Sequence, residues 1–187
     1  MLVRATEAMD QKRNRLTIVV ATMLTLLLAV ACADSSSGYD GLTLAGRGLV
    51  MNVSDVQKVD GLTYQDVDNL YYSVGPMNPG NYLVVARVTI WNTSSGMLSL
   101  FVDGEAAALV GADREPIFAL DPYQIRQSLT SEPHDLGQYT PLLWGASALP
   151  QDFSITGWMA FEIPDSADIK ALEWEHVDSL TFPVSVK

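Results

Sequence analysis

Alternation of apolar and polar residues is the feature that most limits how this chain can fold. In the segment NYLVVARVTIWN, every second side chain from Tyr82 to Ile90 is apolar, whereas Arg87 and Thr89 fall between them. A period of two places these sets on opposite faces of a β-strand, and a helix would bury Arg87 among apolar residues. The segment is therefore predicted to be a central strand.

The same alternation recurs along the chain. The segment FSITGWMAFEIP is predicted to be a strand that points Phe153, Ile155, Met159, Phe161 and Ile163 inward and Ser154, Thr156 and Glu162 outward. The segment LTFPVSV is predicted to be an edge strand, because Pro183 cannot donate to a strand ladder. Weaker strand patterns begin at Leu49, Met97, Ala106, Pro116 and Ile169. The patterns amount to about eight strands, with no helical period beyond residue 31.

Antiparallel strands with one polar face must bury the other face against a second sheet. We therefore predict an all-β domain over residues 42–187, an antiparallel β-sandwich of immunoglobulin-like type. The chain has one cysteine, which excludes the intersheet disulfide of antibody domains, so the core consists of aliphatic and aromatic side chains.

Two long segments, residues 60–80 and 121–151, lack the alternation and are predicted to be loops. Loops on a rigid scaffold often carry binding residues, and tyrosine gives a large contact area at low entropic cost. Tyr71, Tyr72 and Trp144 are therefore a candidate binding surface. The alternative is that these three side chains close the ends of the sandwich.

Residues 1–31 are typical of a secretory signal peptide, a leader helix absent from the mature protein. The basic cluster KRNR precedes a 15-residue apolar run, Leu16 to Val30, which is shorter than the about 20 residues of a spanning helix. Small residues then permit cleavage between Ala31 and Cys32. Translation begins at Met1 or at Met9.

The sequence AVAC, which ends at Cys32, resembles a bacterial lipobox. In lipoproteins of that kind the cysteine becomes the first residue and its sulfur carries a diacylglycerol. Each buried methylene contributes about 0.8 kcal/mol, so two or three acyl chains anchor a protein firmly. We expect residues 32–41 to be a lipidated N-terminus and flexible tether, and the protein to be extracytoplasmic and anchored to the bacterial cell membrane. The alternative is a secreted domain with a free thiol.

The charge of the predicted mature chain excludes several partners. Four of the 11 basic residues and two of the 22 acidic residues precede Cys32, which leaves a net charge of −13 for the remainder. Such a chain repels nucleic acid and anionic lipid surfaces. Membrane attachment is therefore expected only through the N-terminal lipid.

Three segments resemble a family of bacterial lipoproteins and secreted proteins of unknown function. They are the run from Gly80 to Leu120, the segment GWMAFEIP and the segment ALEW. The family includes a mycobacterial secreted immunoprotective antigen with an immunoglobulin-like sandwich, and the resemblance spans roughly residues 49–186. It implies the fold, an extracytoplasmic location and a binding role, and it provides no catalytic residue.

The sequence offers little material for catalysis. Its two histidines, His134 and His176, lack the spacing of a zinc site, and Ser147 lacks the second glycine of a nucleophile elbow. We predict a binding or interaction module that is not an enzyme and has no cofactor. The alternative is an envelope protein that binds a solute or calcium, for which the oxygen ligands would be Asp60, Asp66, Asp68 and Asn69.

Overall fold

The computed structural model describes residues 41–187, which contain 13 strands and no helix. The strands are β1 Leu42–Ala45, β2 Leu49–Val59, β3 Leu62–Gln65, β4 Tyr71–Val74, β5 Asn81–Asn92, β6 Leu98–Val102, β7 Ala107–Gly111, β8 Pro116–Phe118, β9 Gln127–Leu129, β10 Gly145–Leu149, β11 Ser154–Pro164, β12 Ile169–Trp174 and β13 Leu180–Pro183. The all-β prediction is confirmed. The predicted signal peptide, its cleavage site at Ala31 and Cys32, and the tether up to residue 40 lie outside the described residues. In the described range, no helix has the length and apolar character needed to cross a membrane.

The central sheet has the strand order β1-β2-β5-β11, and all its pairs are antiparallel. Strand β5 pairs with β2 on one side and with β11 on the other, from Asn81 opposite Pro164 to Trp91 opposite Ser154. The predicted central position of this strand is therefore confirmed.

The main core lies between one face of the central sheet and a second sheet of order β13-β12-β7-β8, with the two-stranded ribbon β10-β6 beside it. Val88 and Phe161 of the central sheet, Trp174 and Phe182 of the second sheet, and Leu100 of the ribbon all belong to this core. Apolar side chains of two antiparallel sheets meet here, which is the packing of a β-sandwich. Strand β13 pairs only with β12, which confirms the edge position predicted from its proline.

The third sheet, of order β3-β4-β9, packs on the opposite face of the central sheet. Leu83 and Val85 of β5 alternate with the residues of the main core, and they lie against Leu62, Tyr64 and Val74 of the third sheet. The central strand is thus buried on both faces, which explains its continuous apolar run from Tyr82 to Ala86.

The prediction of two long loops is wrong. Residues 60–80 contain β3 and β4, and residues 121–151 contain β9 and β10. These strands have only three to five residues each, which is too short for alternation to be recognised. The eight predicted strands are all present. The remaining five, including β1, bring the total to 13.

One predicted orientation next to β11 is wrong, and one residue of β11 predicted to face solvent is buried. Phe153 is 62% exposed, because it precedes the strand and lies in a turn where its N–H donates to the Pro150 carbonyl, at 3.1 Å. Glu162 is on the predicted face but is buried by the loop 76–81. Met159, Phe161 and Ile163 are buried as predicted.

Candidate binding surface on the third sheet

The hairpin of the third sheet turns through three residues, Val67, Asp68 and Asn69. The Asp66 N–H donates to the Leu70 carbonyl at 3.1 Å, and the Asn69 N–H donates to the Asp66 carbonyl at 2.9 Å. Asn69 has a φ of 61°, the left-handed conformation that follows a type I turn in three-residue hairpin loops. The local sequence DVDN therefore forms a tight turn.

Arg126, in the segment that precedes β9, contacts this hairpin through an ion pair and a cation–π contact. Its guanidinium group pairs with the Asp66 carboxylate and lies 3.9 Å from the ring centroid of Tyr72 and 5.9 Å from that of Tyr123. The hydrogen bond from Arg126 lowers the pKa of Asp66, and the same bond raises the pKa of Arg126. A planar guanidinium can stack on an aromatic ring and hold a carboxylate at once, which fixes the hairpin in position.

The tyrosines that point inward from the third sheet are structural. The Tyr64 hydroxyl donates to the Pro122 carbonyl at 3.2 Å, and burial raises the pKa of Tyr64. The Tyr72 hydroxyl donates to the Asp68 carboxylate at 2.6 Å, which raises the pKa of Tyr72 and lowers that of Asp68. The rings of Tyr139 and Trp158 meet edge to face at 5.1 Å.

The outward face of the third sheet is polar. In the strand register, Thr63, Ser73 and Gln127 form one row across the sheet, and Gln65, Tyr71 and Leu129 form the next row. Residues two apart on a strand share a face, so Tyr71 stands beside Ser73. Thr63, Tyr71 and Ser73 therefore all point away from the core.

An open groove of about 910 Å³ lies along this sheet, and its lining combines polar residues of the outward face with apolar residues that include Leu62, Val74 and Tyr139. The first row, Thr63, Ser73 and Gln127, lines it together with Asp60, which precedes β3, and Asp135 in the loop that follows β9. That loop is held to β3, because the Thr63 hydroxyl donates to the Asp135 carbonyl at 3.0 Å and the Gly137 N–H donates to the Thr63 carbonyl at 3.1 Å. We call this site the polar groove.

Several side chains of the polar groove have no hydrogen-bond partner within residues 41–187. These are the Ser73 hydroxyl, the Gln127 amide and the Asp60 and Asp135 carboxylates. In contrast, the Thr63 hydroxyl already donates a hydrogen bond to the Asp135 carbonyl. The groove therefore presents both hydrogen-bond donors and hydrogen-bond acceptors to a ligand.

The structure does not bring the three predicted binding residues together. Tyr71 points outward beside the polar groove, half-buried, with its hydroxyl 3.4 Å from the Glu132 carboxylate. Tyr72 points to the opposite face and is buried, so it is unavailable for binding. Trp144 packs against the main core, on the other side of the central sheet.

The four candidate calcium ligands are also separated. Asp60 precedes β3, whereas Asp66, Asp68 and Asn69 follow it, roughly 20 Å further along an extended strand. Arg126 and Tyr72 engage the carboxylates of Asp66 and Asp68. In the described part of the chain, no three side chains of histidine, cysteine, aspartate or glutamate converge as metal ligands would.

The histidines and the candidate serine lie on three different segments, and no hydrogen bond between them is present in the described residues. His134 is exposed in the loop after β9, whereas the Nε2 atom of His176 accepts the Phe101 N–H at 3.0 Å. Ser147 lies within β10 opposite Leu100, in extended backbone and not in a sharp turn. Sequence reasoning missed Ser73 and Gln127, because polar residues on a strand are ordinarily read as a solvated face.

No protein-family model and no curated protein sequence matches the chain. Solved structures with a similar arrangement include a Bacillus subtilis protein, YcdA, described as a candidate lipoprotein, at 16% identity and a TM-score of 0.46 over 79% of this chain and 39% of that one. They also include the secreted protein MPT63 of Mycobacterium tuberculosis, at 15% identity and a TM-score of 0.45 over 79% of this chain and 100% of that one. A Clostridium difficile β-sandwich protein of uncharacterised function has 9% identity and a TM-score of 0.46 over 79% and 92% of the two chains. The predicted family membership stays a prediction.

Proposed function

We propose that this protein is a lipid-anchored extracytoplasmic binding module without catalytic activity. Acyl chains on Cys32 would hold it at the bacterial cell membrane, and its domain of immunoglobulin-like type would bind a partner. The apolar run from Leu16 to Val30 and the lipobox-like AVAC support the anchor. The first described strand begins at Leu42, shortly after the cysteine.

The polar groove is the observation that carries the binding role. Its hydroxyl and amide groups lie on three neighbouring strands, of which β3 and β4 pack their inward faces against the central sheet, and its carboxylates lie in the segments that flank those strands. Arg126 ties two of the contributing segments together. Groups held in place before a ligand arrives lose little entropy on binding, so such a surface binds more tightly than a mobile loop.

Site-specific photocrosslinking in intact bacteria tests this proposal. A photoreactive amino acid replaces Gln65, an exposed outward residue that pairs with Tyr71, in the full chain with its leader. Irradiation is expected to give an adduct of higher mass. The matched control is Gln151, an exposed glutamine in the turn after β10.

An adduct at position 65 but not at position 151 supports the binding module. Equal labelling at the two positions, or no adduct at position 65, contradicts it.

A further inference from the structure

We infer that the polar groove takes an uncharged glycan that carries hydroxyl and amide groups. This inference rests on the proposed binding function and adds the chemical class of the ligand. Four observations support it: the donor and acceptor types in the groove, its charge, the position of one aromatic ring, and its open shape.

The first observation is the mixture of donors and acceptors. The Ser73 hydroxyl and the Gln127 amide can each donate and accept, whereas the carboxylates of Asp60 and Asp135 only accept. All four lack hydrogen-bond partners among the described residues. A sugar ring offers neighbouring hydroxyl groups that both donate and accept, so it can satisfy both kinds of group at once.

The second observation is the charge of the groove. The carboxylates of Asp60 and Asp135 line it, and Asp60 also interacts electrostatically with Lys58. Lys58 is the only lysine or arginine among the residues that line it, and its ammonium group is already paired with Asp165 at 2.8 Å and lies 3.7 Å from the Tyr82 ring centroid. A phosphate or carboxylate ligand would meet like charge without a free cation, which disfavours anionic ligands.

The third observation is the ring of Tyr71, which stands on the same sheet face as Ser73 and is half-buried. Its hydroxyl is oriented toward Glu132, at 3.4 Å. The C–H face of a sugar packs well on an aromatic face, through dispersion contacts that a hydrogen-bonding row alone cannot supply. The combination of one ring with a neighbouring polar row suits a pyranose.

The fourth observation is that the groove is open and runs across three strands, from Thr63 through Ser73 to Gln127. An open groove accommodates a segment of a longer chain, whereas small molecules usually occupy enclosed, mostly apolar pockets. A basic peptide is the competing occupant, because carboxylates attract lysine. The uncharged Ser73 and Gln127 in the row favour the glycan.

Binding measurements on the full chain purified in detergent test this inference. The probes are tetra-N-acetylchitotetraose, which is uncharged and carries amides, a tetragalacturonate, which is anionic, and tetralysine. We expect the chitotetraose to bind, and Ser73→Ala or Gln127→Ala each to weaken binding about fivefold to tenfold through one lost hydrogen bond. Tyr71→Ala is expected to weaken it about tenfold or more, and Tyr71→Phe to retain most of the affinity.

Gln151→Ala is the matched control and is expected to leave the affinity unchanged, and melting temperatures of all variants verify that they fold. Binding of tetralysine or tetragalacturonate in preference to the chitotetraose overturns the inference, as does chitotetraose binding that the groove variants do not alter. If no probe binds while position 65 still forms its adduct in cells, the ligand class is wrong and the binding function stands. If both experiments fail, the proposed function fails with them.

Discussion

Glu162 occupies a position that the alternation pattern reads as solvent-facing, yet its side chain is only 8% exposed. Its carboxylate accepts four hydrogen bonds of 2.8 to 3.1 Å, from the Met77 and Asn78 backbone and from the side-chain amides of Asn78 and Asn81. Asp178 does the same for the turn before β2, accepting the N–H groups of Arg47, Gly48 and Leu49 at 2.9 to 3.1 Å. A single carboxylate thus adds side-chain hydrogen bonds to each of two turns, which have one backbone hydrogen bond each, from Gly46 to Leu49 and from Asn81 to Asn78.

These two carboxylates make the stability of the fold depend on pH. Burial alone raises the pKa of each, but the donors around Glu162 and Asp178 outweigh burial and lower both values below the ordinary range. A carboxylate with a lowered pKa in the folded state stabilises the fold above its unfolded pKa and loses that contribution as the pH falls through its folded pKa. The loss is therefore expected below about pH 4.

Glu162→Gln tests this effect at one residue. The amide keeps one oxygen for the three donors that bond to Oε1, but it places an N–H group against the Met77 N–H and removes the negative charge. The variant is therefore expected to lower the free energy of unfolding at pH 7 by about 2 kcal/mol. The gap between parent and variant is expected to narrow at pH 3, where the parent carboxylate begins to protonate. Urea unfolding at both pH values measures this difference in the free energy of unfolding. Glu105→Gln, at an exposed site, is the control. An equal gap at the two pH values contradicts the account.

At the scale of elements, the sequence predicts long strands well. It predicts badly the pairing of short strands that are far apart in sequence. Strands β5 and β11 have 12 and 11 residues, so their alternation is plain and their orientation is mostly predicted. Strand β9 has three residues and pairs with β4, more than 50 positions earlier, from Tyr71 opposite Leu129 to Ser73 opposite Gln127. Local pattern carries no information about such a pairing, so the outward row that lines the polar groove could not be predicted.

Arg126→Lys tests whether one contact holds the third sheet in place. Lysine keeps the charge near Asp66 but loses the planar stacking on Tyr72. We expect a loss of local stability, seen as roughly fivefold faster amide exchange in β3, β4 and β9. The amides of β5 and β11 are expected to keep their protection.

The control for this experiment is Arg114→Lys, at an exposed arginine in the turn between β7 and β8. Equal acceleration in the third and central sheets, or no change in either, contradicts a local role for Arg126.

At the scale of the whole molecule, a strongly acidic all-β domain follows an N-terminal segment of 31 residues that is apolar and weakly basic in sequence. The contrast is sharp, because the chain beyond Ala31 has a net charge of −13. An acidic domain is expected to be repelled by anionic lipid, so under the proposed function its position at the membrane depends on the lipid on Cys32. In the function we propose, the sandwich supports the third sheet, which presents the polar groove to a ligand.

The mass of the N-terminal peptide, measured on protein isolated from the membrane fraction of bacteria expressing the full chain, tests the central claim most directly. The account predicts a peptide that begins at Cys32 and carries a diacylglycerol, and a Cys32→Ser variant that leaves the membrane fraction. An unmodified Cys32, or a serine variant that remains in the membrane fraction as firmly as the parent, would contradict it.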